Sequence, residues 1–201
     1  MRFGTIGAGT IGQALARHVV EAGYPITLSN RRGPQSLTEV IAELGPLASA
    51  GTVAEAAEAD IVFLATHWKV VGDVLDPLPN WNGRILVDAT NTLDFVDGGV
   101  VPVDVGDKTG SEIVAAHAPG ARVVKAFNTL YASYIGPDPR HEAGRQVVFY
   151  AGDDADAKAT IGSILDEFGF AAVDVGPLDE GGLLMEVNGG PLSGLHVLKQ
   201  D

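Results

Sequence analysis

Cysteine is absent from the 201-residue chain. That removes disulfides, thiolate metal sites and cysteine nucleophiles, and no other metal site is read in the sequence. Basic residues are scarce: 13 Lys and Arg stand against 26 Asp and Glu, a net charge of −13. A general nucleic-acid surface or an anionic-membrane surface needs dense positive charge, so neither is an expected partner. Apolar runs are all strand-sized, well short of the ~20 residues that a membrane helix requires. The chain does not open on a charged, then apolar, then small pattern, so no secretory leader is expected and the reading is a cytoplasmic protein. Internal repeats and low-complexity tracts are missing too. What remains is 46% hydrophobic, enough for a real core.

The most informative stretch lies near the start. Gly7-Ala8-Gly9-Thr10-Ile11-Gly12 spells G-x-G-x-x-G directly after the apolar run 2–6 and at the head of the amphipathic stretch 10–22. Gly7 permits a tight turn, Gly9 lets backbone amides approach a diphosphate, and Gly12 lets helix and strand pack closely. Unpaired N–H groups at the helix start then face the anion, helped by the helix dipole. The pattern points to a bound dinucleotide.

The end of the second strand refines that ligand. An NAD-preferring site carries an acidic residue there, ~20 positions past the glycines, for the ribose hydroxyls. Here the strand 25–28 ends in Ser29-Asn30-Arg31-Arg32-Gly33, with no carboxylate. Guanidiniums form charge-assisted, often bidentate bonds to phosphate, so this end suits a 2′-phosphate and the cofactor reads as NADP(H). Taken alone, Arg31 and Arg32 read equally as solvated loop charges; the strand and glycine turn ahead of them favour the phosphate.

Along the chain, short apolar runs alternate with helical stretches, the signature of βαβ units. The fold class is α/β: a Rossmann-type, doubly wound parallel sheet with a small C-terminal extension. Residues 1–145 read as the NADP-binding domain and 146–201 as a βαβ-like extension on the same sheet. Helices are expected over 35–44, 54–59, 67–75, 111–117 and 155–168. Residues 92–107 read as a long irregular connection, usually functional or disordered. Ligands in open α/β sheets lie across the carboxyl ends of the strands. Those ends carry Thr66-His67-Trp68, Asp88 to Asn91, and Asn128-Thr129. His67 reads as a cofactor contact or as a helix start without a ligand; Trp68 as a flat wall or as packing. Asn128 and Tyr131 are candidates for meeting a substrate near the nicotinamide. Lys125, inside a strand, reads as an edge or buried-pair residue and not as catalytic.

With these residues assembled, the chain resembles the NADP-dependent oxidoreductases of the deazaflavin (coenzyme F420) type. GAGTIGQALA, LSNRRGP, ADIVFLATHW, VDATN, GARVVKAFNTL, AGDDADAKATI and VDVGPL carry the likeness in that order. The resemblance implies NADP(H) along Ala8 to Ile11, its 2′-phosphate on Asn30, Arg31 and Arg32, and Thr66, His67, Trp68 and Asn91 along the middle of the cofactor. It implies an acceptor facing residues 128–131, a homodimer completed by the C-terminal extension, and direct hydride transfer between nicotinamide and deazaflavin. Such a step needs alignment and exclusion of water more than an acid or base. His67 and Asn128 stand where the family's archaeal-type members have proline and histidine. The acceptor therefore stays open to a flavin, an imine or a carbonyl, and a non-catalytic NADP(H)-binding protein is the remaining alternative.

Overall fold

In the computed structural model, which describes residues 1–96 and 98–200, strand and helix alternate through the first half. The elements are β1 (Phe3–Ile6), α1 (Thr10–Glu21), β2 (Ile26–Ser29), α2 (Thr38–Leu44), β3 (Ala48–Ala50), α3 (Val53–Ala57), β4 (Ile61–Leu64), α4 (Val71–Leu75) and β5 (Ile85–Asp88). A hairpin of β6 (Leu93–Val96) and β7 (Gly99–Pro102) leads to α5 (Gly110–His117) and β8 (Arg122–Ala126). Then come α6 (Ala132–Ile135), β9 (Arg140–His141), β10 (Gly144–Gly152), α7 (Ala155–Glu167), β11 (Ala171–Asp174), α8 (Gly181–Met185) and β12 (Leu198–Lys199).

The inner strand β4 is apolar and buried at every position, which a sheet covered on both faces needs. Ile61 and Phe63 of β4 enter one core while Val62 and Leu64 enter the other. Leu15 and Val19 of α1, with Ile161 and Leu165 of α7, close the first core. Val71 and Leu75 of α4 and Val114 of α5 close the second. Each such side chain contributes roughly 1.5–3 kcal/mol on full burial, so these helices are held by packing more than by propensity. α1 stops where Gly23 takes φ +85, the left-handed turn that follows many helices.

The main sheet runs β11-β10-β8-β5-β4-β1-β2-β3, and β9 and β12 also pair with β10. From β3 to β8 every neighbour is parallel. The order reverses between β1 and β4, and that switch point opens a crevice at the carboxyl ends of the strands. No helix among the described residues is long and apolar enough to cross a membrane.

The structure departs from the sequence reading in four places. The stretch 92–107 is not irregular throughout: it contains the β6–β7 hairpin. β3 appears where no strand was expected, because Ala48–Ala50 pairs in register with Ile26 to Leu28 despite its weak apolar signal. The tail does not continue the parallel winding. β10 runs antiparallel to β8, and β11 parallel to β10. A parallel return needs a crossover, usually a helix, and the 127–143 link has only the four-residue α6. The expected helix 67–75 also divides, into a 3₁₀ turn at Trp68–Val70 and α4.

Candidate functional site

Two of the three glycines are required by the protein itself. Gly7 sits at φ +106, and a Cβ there would collide with the Ala65 carbonyl oxygen; a Cβ on Gly12 would collide with that of Gly7. Gly9 is different. Its φ is −79, open to any residue, and a Cβ would meet nothing within 4 Å. Neither backbone nor packing calls for glycine at this exposed position, which borders the cleft described below.

The helix behind it is equally open. No side chain caps α1, and its first turn has no acidic residue. By contrast α3 and α5 are closed by reciprocal capping boxes, Thr52 with Glu55 and Thr109 with Glu112. The first N–H groups of α1 are thus left for an anion. Gln13 Nε2 donates to the Ala8 carbonyl at 2.9 Å and fixes the turn. Ala8 and Gly12 support the turn from behind; Gly7, Gly9, Thr10 and Ile11 line the cleft.

At the end of β2, Asn30 and Arg31 line the same cleft. Asn30 Oδ1 accepts from the Arg32 amide at 2.9 Å, and Asn30 Nδ2 donates to Ser36 Oγ at 2.9 Å, which shapes the loop. Both arginines are exposed, and neither has an ion-pair partner among the described residues, although 26 acidic residues are available. Ser29 is a correction. It is fully buried and donates its hydroxyl to the Thr5 carbonyl at 2.7 Å, so that side chain stitches β2 to β1 and does not reach the cleft.

The cleft measures about 1320 Å³ and continues past Thr66, His67, Trp68 and Asn91. Thr66 Oγ1 is buried there without a partner among the described residues. His67 meets Phe95 of β6 edge-on, centroids 5.1 Å apart, and Lys69 lies 3.4 Å from Asp94. The Phe95 amide holds the Asp94 carboxyl below its usual range against the opposing effect of burial, with lesser help from Lys69 and His67. Asn128 is a second correction: it stands behind the wall, 6% exposed. Its Nδ2 donates to Asn91 Oδ1 at 3.1 Å and to the Met185 carbonyl at 2.8 Å, and Asn91 Nδ2 donates back to the Asn128 carbonyl at 3.0 Å. Tyr131 is a third. It is 69% exposed at the start of α6, tilted toward Tyr134, and does not line the cleft.

Sequence reasoning missed the start of α3 (Thr52 to Ala54), the apolar wall of Val74 and Leu78, and Phe95, all lining the cleft. Only Thr52, four residues before a helical alanine run and three before Glu55, carried a readable signal.

Behind the site lies a buried charge cluster. Lys125 Nζ is 3.4 Å from Glu186 Oε1, 3.9 Å from Asp88 Oδ2 and 3.2 Å from Ser111 Oγ. Ser111 donates to Asp88 at 2.6 Å, the Gly110 amide to Glu186 at 2.9 Å, and Thr92 to Glu186 at 3.1 Å. Parallel register places Asp88 beside Lys125 on one face of the sheet. Glu186 arrives from the tail, so the cluster ties the parallel sheet to the tail.

Residues 2–92 match the model of the family described as NADP oxidoreductase, coenzyme F420-dependent. A hypothetical protein of Sinorhizobium meliloti is 38% identical, with a TM-score of 0.92 over 100% of this chain and 96% of that one. A candidate F420-dependent NADP-reductase of Arthrobacter sp. FB24 is 28% identical, with a TM-score of 0.74 over 89% of this chain and 86% of that one. The metalloreductase STEAP3 of Rattus norvegicus is 27% identical over 186 residues, 88% of this chain; the match spans about a third (34%) of that curated relative's length. An open helix start, two unpaired guanidiniums and an uncrowded Gly9 fit the phosphates of an NADP-type cofactor, and the likenesses agree. Residues 2–92 belong to the coenzyme F420-dependent NADP oxidoreductase family, and the chain is an NADP-dependent oxidoreductase.

Proposed function

We propose that the chain reduces a deazaflavin-type acceptor, coenzyme F420 or a close analogue, with NADPH bound across the switch-point cleft. The observation that carries the cofactor assignment is Gly9, a glycine that nothing in the protein requires, at the open start of α1. In this reading the amides of Thr10 and Ile11 hold the diphosphate, and Asn30, Arg31 and Arg32 hold the 2′-phosphate. Thr66, His67, Trp68 and Asn91 border the middle of the cofactor. NADPH, when bound, supplies the hydride. The chain's own residues align the two rings and keep water away, the second through Val74, Leu78 and Phe95, and no side-chain acid or base is needed for the hydride step. Residues 1–145 act as the cofactor unit and 146–201 as its extension, working as a cytoplasmic homodimer. Leu183 and Leu184, 55% and 40% exposed on α8, favour a protein contact on that extension.

A second reading keeps NADPH and replaces the acceptor with a flavin, an imine or a carbonyl. It is favoured by Asn128, the residue matched to an acceptor contact, being turned into the protein. Stopped-flow absorbance with NADPH and a deazaflavin at neutral pH decides between them. Bleaching of the deazaflavin as NADPH is consumed is expected; consumption only with flavin or imine moves the assignment to the second reading. Equal affinity for NADPH and NADH overturns the cofactor assignment itself.

A further inference from the structure

We infer that the β6–β7 hairpin is one wall of the acceptor subsite and that it selects a flat, apolar-bodied ring over a small charged acid. The inference rests on the NADPH-reductase reading and specifies what the acceptor must look like. Connections from strand to helix in such sheets take about 2–6 residues. Here the chain runs from Ala89 to Thr109 between β5 and α5, and it builds a two-stranded piece that pairs with no strand of the main sheet. A lone hairpin is marginal in water, so something other than its own ladder holds it. Phe95 against His67 and Asp94 against Lys69 pin it to the turn after β4, and the Val103 amide donates to the Thr92 carbonyl at 2.8 Å at its base.

Register pairs Leu93 with Pro102 and Phe95 with Val100. Residues paired directly across a ladder share a face, as do alternate residues along each strand, so these four form one apolar plate. Leu93 and Phe95 line the cleft, while Phe95 and Val100 remain 53% and 56% exposed. The plate is therefore continuous with the dinucleotide cleft and uncovered where the cleft opens. A large aromatic left in water beside a cleft gains most from a ring laid against it. Space permits one: the cleft, about 1320 Å³, exceeds the roughly 300–1,000 Å³ usual for one small ligand. The charges disfavour a keto acid or dicarboxylate. Of the cleft-lining basic residues, Arg31 stands at the far end beside β2, and Lys69 is engaged by Asp94.

The test uses the full chain with 5-deazariboflavin as the ring probe and pyruvate as the charged comparison. KM comes from NADPH oxidation, and Kd from deazariboflavin fluorescence with the NADP⁺-loaded protein. Phe95→Ala is expected to raise both constants for the ring about tenfold, the loss of roughly one aromatic contact, and Phe95→Leu to recover part of this. Melting temperature is expected to fall slightly, because Phe95 helps to pin the hairpin, and NADPH affinity to change much less than the ring constants, because the ring is half-exposed and at the acceptor end. Ring constants within about twofold of wild type in an NADPH-binding Phe95→Ala protein overturn the subsite and leave the reductase reading standing. Turnover of pyruvate without any ring overturns the acceptor class. Failure of the wild type to bind NADPH overturns the reductase reading and this inference with it. Dissociation of a dimer by Phe95→Ala in light scattering, with ring KM unchanged, assigns the plate to contact between copies and overturns the proposal.

Discussion

At the scale of single residues, the cofactor site depends on side chains that are missing or left unpaired. Gly9→Ala puts a methyl into space that no protein atom claims, and its φ of −79 suits alanine. Melting temperature is expected to hold while NADPH affinity, by calorimetry, falls about tenfold or more, since the methyl holds the diphosphate off the amides. Arg31→Glu replaces a free guanidinium with a repelling carboxylate. Loss of a charge-assisted bond is typically ~1.5–3 kcal/mol, so NADPH is expected to weaken roughly ten- to a hundredfold and NADH far less. Equal weakening of both would assign Arg31 to structure. The need for glycine at positions 7 and 12 was legible in the sequence because it follows from local backbone turn and packing. The orientations of Ser29 and Asn128 were not legible, because a strand end shows that a residue lies near the crevice, not which way its side chain turns.

At the scale of elements, helix starts divide into closed and open ones. The start of α3 lines the cleft, yet it is satisfied by its own box: Glu55 Oε2 accepts from the Thr52 amide at 2.7 Å and from its hydroxyl at 2.9 Å. These bonds, the backbone one first, hold the Glu55 carboxyl below its usual range. A carboxylate depressed on folding stabilises above its unfolded pKa, and that contribution fades as pH falls through the folded value. Chemical denaturation below about pH 4.3 is therefore expected to lose part of its fall in stability in Glu55→Gln, which has no carboxylate to protonate. An unchanged profile would show that the box does not feed acid denaturation. Helix α1 was readable from apolar spacing, and α7 from apolar spacing and its Asp154 cap. The hairpin was not, because Val, Gly, Asp and Pro mixed over 92–107 carry neither period, and its pairing is a relation between two strands that composition does not encode.

For the whole molecule, the Asp88–Lys125–Glu186 cluster binds the parallel core to the tail. Removing one member of a buried ion set leaves charge uncompensated and typically costs 3–5 kcal/mol. Lys125→Met is expected to lower unfolding free energy by about that amount in urea titration, and Lys125→Met with Glu186→Gln to recover part of it. No recovery would mean that the aliphatic stem of Lys125, not its charge, holds the tail. The sequence reading of Lys125 as an edge or buried-pair residue named the right kind of residue without its partners. Asp88 is adjacent through parallel register and Glu186 through the path of the tail.

By itself, the sequence determined the alternating architecture, the dinucleotide turn and the unpaired arginine edge. These depend on interactions within a few residues: backbone turn angles, helix-start amides and the periodicity of apolar side chains. Tertiary structure alone decided the reversed β10–β11 edge, the buried charge cluster, which polar strand ends turn inward, and the hairpin that borders the cleft. Each of those requires two distant segments to meet in one register and one orientation, and a linear pattern contains no term for that encounter.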